Sequence, residues 1–133
     1  MIKLERDKFI TTDINVLLEA NIALFKTKNQ NPLTLLTDRD LPPFKIDQNN
    51  FSKLLRKILN SFRASDNISI SLKLRIGEHV IIDSKKEAIV QLSVIANGRY
   101  VDSDRDIELL AEKSLIKSML AEYSIKLEVP LIV

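Results

Sequence analysis

Phe51, Leu54, Leu55, Ile58, Leu59 and Phe62 follow one another at intervals of three, one, three, one and three. Only an α-helix gathers such positions on one side, so this stretch is expected to fold as a helix with a single broad face to bury. One buried face demands a partner layer. ISISLKLRI, at 68–76, supplies it: strict alternation of apolar and polar residues is the period of a strand with one covered side. Alternation resumes over 88–94, with Ile89, Gln91 and Ser93 on one face and Val90, Leu92 and Val94 on the other. Helix against sheet is therefore the minimum architecture for this chain.

The remaining segments extend that plan. Thr12 or Asp13 is suited to cap a first helix, whose stripe is read as Ile14, Leu17, Leu18, Ile22, Leu24 and Phe25, and KTKNQNP ends it at Pro32. LTLLTD, at 33–38, is short, apolar and bounded by turn formers, which suits a strand. After Pro42 and Pro43, Asp47 or Asn49 opens the second helix. Gly77-Glu78 is read as a turn, with 79–82 returning as a short strand, and Asn97-Gly98 as the break after the next one. A third helix is predicted over 104–123, with acids in its first turn. Its stripe of Leu109, Leu115, Ile116, Met119, Leu120 and Tyr123 is too broad for one face, leaving part for a second copy or a partner. SIKLEVPLIV closes as a strand, with Pro130 at an edge or end. The expectation is one α+β domain over 1–133, a two-layer sandwich with three helices on one face of a mixed, mostly antiparallel sheet.

Composition excludes several chemistries. Cys is absent, which removes disulfides, thiolate metal sites and cysteine nucleophiles. The single His forbids a two-histidine metal site, and with two Gly neither a dinucleotide-binding fingerprint nor a Walker A loop can be written. Twenty basic against eighteen acidic residues leave a net +2, too balanced for a polyelectrolyte binder on charge alone. No aromatics interleave the cations of the second helix, which argues against nucleic acid. The charged start MIKLERDKF and the lack of a long apolar run point to a cytoplasmic protein without a membrane segment.

LTLLTDRDLPPFKIDQNNFSKLLRKILNSF resembles the strand, Leu-Pro approach, Asp and first ATP-site helix of the ATPase domain of bacterial sensor histidine kinases, a member of the GHKL fold. LSVIANGRYV resembles the strand leading into that family's Asp-Asn-Gly-x-Gly loop. The resemblance implies Glu, Asn and Asn at four-residue spacing on the helix, for water activation and magnesium. Aligned on Asp47, those positions hold Lys53, Lys57 and Ser61; a shift by one brings Arg56 and Asn60 instead. An ammonium or guanidinium only donates, whereas magnesium needs hard oxygen ligands. The family's adenine-reading Asp corresponds to Ala96 and its second Gly to Tyr100, leaving Asn97 and Gly98, and RYVDSDRD stands in place of the glycine-rich lid. The resemblance thus implies a vestigial pocket or anion-binding site built from Lys53, Arg56, Lys57, Ser61, Asn97 and Gly98, with no metal, no cofactor and no autokinase activity.

With its extended strand, the Ala96-Asn97-Gly98-Arg99 break, an acidic linker and a helix passing straight into a last strand, the second half is similar to the degenerate kinase-like domain of bacterial histidine phosphotransferases. In that family the domain helps dock receiver domains of response regulators while a preceding helical hairpin carries the phosphate. No such hairpin precedes the first helix here, and His79 beside Gly77-Glu78 is read as a solvent-facing strand residue rather than a phospho-acceptor. If the chain is whole, phosphotransfer by its own histidine is not expected; if it is a fragment, phosphotransfer would need a helical His-bearing hairpin that is missing from this chain. The resemblance implies a receiver-domain partner. The alternative is a dimerising or inhibitory interaction module, partnered by its own copy, without phosphate chemistry. Asp102, Asp104, Asp106 and Glu108 lack the mid-loop Gly and terminal Glu of an EF-hand and are read as turn and helix-start acids.

Overall fold

A computed structural model of the chain describes residues 8–133. Its elements run β1 (Phe9–Thr12), α1 (Ile14–Lys26), β2 (Leu33–Leu36), β3 (Phe44–Asp47), α2 (Gln48–Asn60), β4 (Ile68–Ile82), β5 (Lys85–Ile95), α3 (Asp104–Lys113), β6 (Lys117–Leu120) and β7 (Ser124–Leu131). The main sheet has the order β2-β4-β5-β7-β6, with β2 parallel to β4 and every other pairing antiparallel. Three helices pack on one side of it. Val90, Leu92 and Val94 of β5 are fully buried in one core with Leu18 of α1, Leu54 of α2 and Ile107 of α3. The expected α+β sandwich is the fold.

The helix starts follow the sequence. The Asp13 carboxylate accepts from the amides of Asn15 and Val16, and the Asp47 carboxylate accepts from Asn50. All six residues of the periodic stripe from Phe51 to Phe62 are buried. On α1 the stripe is narrower than its periodicity suggested: Ile14, Leu18, Ile22 and Phe25 face the core, but Leu24 is 63% exposed. On β5 the polar face is covered as well. Arg75 reaches Gln91, and Gln91 Nε2 donates to Ser93 Oγ at 2.9 Å. Pro130 sits near the end of β7, beyond the reach of β6, which pairs no further than Glu128.

Three features correct the sequence reading. First, β1 and β3 pair antiparallel as a separate ribbon, Phe9 opposite Asp47 and Thr12 opposite Phe44; four residues each are too few to show a period. Second, Gly77-Glu78 is not a turn. Arg75 pairs with Ile89 and His79 with Ala88, so residues 76–78 form a bulge inside one continuous β4, with Gly77 at φ +82°. The hairpin turns instead at Asp83 and Ser84, whose φ angles of 49° and 67° suit a two-residue primed turn. Third, the helix predicted over 104–123 ends at Lys113. Leu115 adopts φ 61° and its amide donates to Glu112 O at 3.1 Å, while Ile116 N–H donates to Ala111 O at 2.9 Å. These two bonds are a Schellman closure, made here without glycine. Met119 and Leu120 therefore belong to edge strand β6, and no broad helical stripe exists.

Candidate functional site

A groove of about 710 Å³ runs between α2 and α3. Lys53, Arg56, Lys57 and Asn60 line it from α2, at spacings of three, one and three residues that place all four on the face turned away from the sheet. Asp106, Leu109, Leu110 and Lys113 line the opposite side, with Ser103 at its end. Among the described residues, four cations thus line the groove with an apolar strip of Leu109 and Leu110 and a single carboxylate. Lys57 Nζ stands 3.4 Å from Asp106 Oδ2 in a solvated pair. A second cavity, about 240 Å³, adjoins at the end of α1 and shares Arg56 and Asn60, with Lys28 on its far wall.

Of the six residues carried over by resemblance, Lys53, Arg56 and Lys57 come together in the groove, while Ser61, Asn97 and Gly98 are not among its lining residues. Ser61 is buried, donates through Oγ to Ile58 O at 2.6 Å and accepts at its own carbonyl from Tyr100 N–H at 2.6 Å. Asn97 is exposed. A Cβ on Gly98 would lie 3.1 Å from Cζ of Arg63, a tight contact with the end of an exposed, flexible side chain. The Ser61–Tyr100 bond ties the end of α2 to the segment after β5, and Phe62 adds a backbone bridge to Arg99.

Arg99 is the residue that the sequence reading passed over. Its side chain is 1% exposed and grips Asp104 through both terminal nitrogens, at 2.7 and 2.9 Å, while Nε donates to Ala121 O at 2.7 Å. A fork-to-fork pair of this kind fixes direction as well as distance. The connection from β5 to α3 is thereby fastened at both ends. The available signal was the arginine five residues ahead of a helix-start acid.

Asp104 and Asp106 lie in the first turn of α3, one held by Arg99 and the other facing Lys57. Among the described residues no group of His, Asp or Glu is placed to hold a metal ion. His79 is exposed on β4, just past the bulge. Among the described residues, no helix is long and apolar enough to cross a membrane.

No family model matches this chain, and no curated protein sequence matches it. In structure it is similar to the Acinetobacter baumannii histidine kinase AdeS, with TM-score 0.63 and 9% identity over 98% of this chain and 69% of that one. It is similar to the mycobacterial sensor histidine kinase MprB, with TM-score 0.62 and 8% identity over 93% of this chain and 98% of that one. It is also similar to the catalytic domain of histidine kinase ThkA in a nucleotide-free form, with TM-score 0.59 and 14% identity over 93% and 96% of the two chains. The shared property is the fold of the histidine kinase ATPase domain.

Proposed function

We propose that this domain is a non-catalytic, histidine-kinase-like module of a bacterial two-component phosphorelay. It docks the receiver domain of a response regulator, or supports histidine phosphotransfer to one, without hydrolysing ATP. The observation that carries this reading is the charge of the α2–α3 groove, where Lys53, Arg56, Lys57 and Lys113 face one carboxylate. Magnesium nucleotide does not fit that donor set. Ammonium and guanidinium groups offer the metal no lone pair, and Asp106 is already matched by Lys57. No catalytic step through ATP is therefore derived.

An acidic protein surface fits better. A receiver domain takes the phosphate on an aspartate, and a rim of cations over a short apolar strip would steer and hold an acidic surface of that kind. The Arg99–Asp104 fork holds the β5–α3 segment in place, so that wall of the groove is preformed.

The experiment has two arms. The thermal midpoint is measured with ATP, with and without magnesium. At a hundredfold excess over Kd, a bound nucleotide would add about 2.7 kcal/mol, or several degrees, and no magnesium-dependent rise is expected. Receiver domains from the same genome are then titrated by calorimetry against the wild type and a Lys53→Glu, Lys57→Glu double variant. Saturable binding that the double variant weakens about tenfold or more is expected. A magnesium-dependent rise, or receiver binding indifferent to the reversal, overturns the proposal.

A further inference from the structure

Only two of the thirteen residues of α1 carry charge, Glu19 and Lys26, and Arg39 holds Glu19 at 2.5 Å. At 3.6 residues per turn, Val16, Ala20, Ala23 and Leu24 fall within an arc about 100° wide, opposite the core-facing arc of Ile14, Leu18, Ile22 and Phe25. Val16 and Leu24 are 62% and 63% exposed, and both alanines are exposed. The outward positions of α2 and α3 are instead rich in charge. α1 thus carries two apolar arcs on opposite sides, parted by Asn15, Glu19 and Lys26 on one flank and Asn21 on the other, and only the inner arc is covered within the domain.

The pattern of the stripe indicates what covers it. Val16 and Leu24 each stand four residues from Ala20, so the order large, small, large is symmetric about Ala20. Charges of opposite sign mark the two ends, Asp13 at the start and Lys26 and Lys28 at the finish. An antiparallel copy would seat Val16 against the partner's Leu24, bring Asp13 to the partner's Lys26 and Lys28, and oppose the helix dipoles. Residue 20 alone would meet itself, and its small side chain would let the helices approach. We infer that the outer face of α1 is a self-association surface on which a second copy lays its own α1 antiparallel, with Ala20 on the two-fold axis. A single helix face is smaller than the roughly 800 Å² per partner of a standard interface, so the dimer is weak and concentration-dependent. The inference does not use the α2–α3 groove.

Sedimentation equilibrium up to about 1 mM, a range that captures weak self-association, tests this on the full chain. A monomer–dimer equilibrium is expected for the wild type. Ala20→Arg and Ala20→Glu, each placing like charges on the axis, are expected to be monomeric with unchanged circular dichroism, and their equimolar mixture to dimerise. Since the chain has no Cys, Ala20→Cys reports the axis directly: oxidation should cross-link it, and an exposed control, Glu112→Cys on α3, should lag far behind. A wild type that stays monomeric throughout, which would mean that some other partner covers α1, overturns the inference. So does a dimer that Ala20→Arg leaves intact, or equal cross-linking of the two cysteine variants.

Discussion

Helices α1 and α2 are built alike and face the world differently. Each has thirteen residues, each starts at an aspartate whose carboxylate accepts helix amides, and each buries its inner stripe in the same core. Outward, α2 presents Lys53, Arg56 and Lys57 to a groove, whereas α1 presents Val16, Ala20, Ala23 and Leu24. Their ends differ too. The last turn of α2 is tied to the segment after β5 through Ser61 and Phe62, while α1 runs into the exposed Thr27 and Lys28. The inner face of a helix answers to the sheet that it covers. The outer face is free to answer to a partner, so the two outer faces are where the function of this fold should be sought.

The largest expected effect sits where α2 is tied. Asp104→Ala strands the Arg99 guanidinium, 1% exposed, without its carboxylate, and should cost about 3–5 kcal/mol of stability in urea unfolding. Arg99→Ala should cost less, because Asp104 is 27% exposed and keeps water as a partner. Equal losses would mean that the fork is not the fastening described here. Next come the inner faces. Leu18→Ala on α1 and Leu54→Ala on α2 both remove fully buried side chains and should each cost about 2–5 kcal/mol. A loss below about 1 kcal/mol at Leu18 alone would show that α1 leans on the domain rather than sharing its core.

The inner faces were also what the sequence made legible. The stripe from Phe51 to Phe62, an aspartate cap ahead of α1 and α2 and the strands of β4 and β5 are local signals that are realised, but the covered face of β4 stops at Leu72, with Leu74 38% and Ile76 94% exposed. Failures cluster where the backbone takes positive φ without glycine. Asp83 and Ser84 make the hairpin turn and Leu115 ends α3, at φ 49°, 67° and 61°. Turn rules search for Gly or Asn at such positions, and with two glycines in the chain they settled on Gly77, which turned out to be a bulge. The groove was half legible. Helical spacing gathered Lys53, Arg56 and Lys57 on one face, but that Lys113 and Asp106 stand opposite is a tertiary fact that no local pattern contains. Ser61, Asn97 and Gly98 came from resemblance; here Ser61 serves the joint at the end of α2, Gly98 lies beside Arg63, and Asn97 is exposed.

The caps sharpen the likeness of the two helices. Asp13→Ala and Asp47→Ala should each cost about 1 kcal/mol, with Asp47 the larger because its carboxylate is buried and Asp13 can be replaced by water. Thermal midpoints of the two variants would check this. A neutral Asp47→Ala would mean that the β1–β3 ribbon, not the cap, sets where α2 begins.

The smallest effect separates the outer faces. Lys53 lies three residues before Arg56 and four before Lys57, and like charges at those spacings each destabilise a helix by about 0.2–0.5 kcal/mol. Lys53→Glu turns both contacts attractive, with the acid on the favoured N-terminal side, and should stabilise the domain by about 0.5–1 kcal/mol at low salt. The gain should fade toward 1 M salt, where the screening length is about 3 Å. Ala20→Arg on α1 has only Val16, Leu17, Ala23 and Leu24 at those spacings, so for the monomer its effect should stay within about 0.5 kcal/mol and not depend on salt. A domain that gains stability while losing its receiver partner would show that the basic face is kept at the expense of the fold. If Lys53→Glu instead destabilises at low salt, the cations of α2 are held by neighbours within the domain, and the groove is not poised for an outside anion.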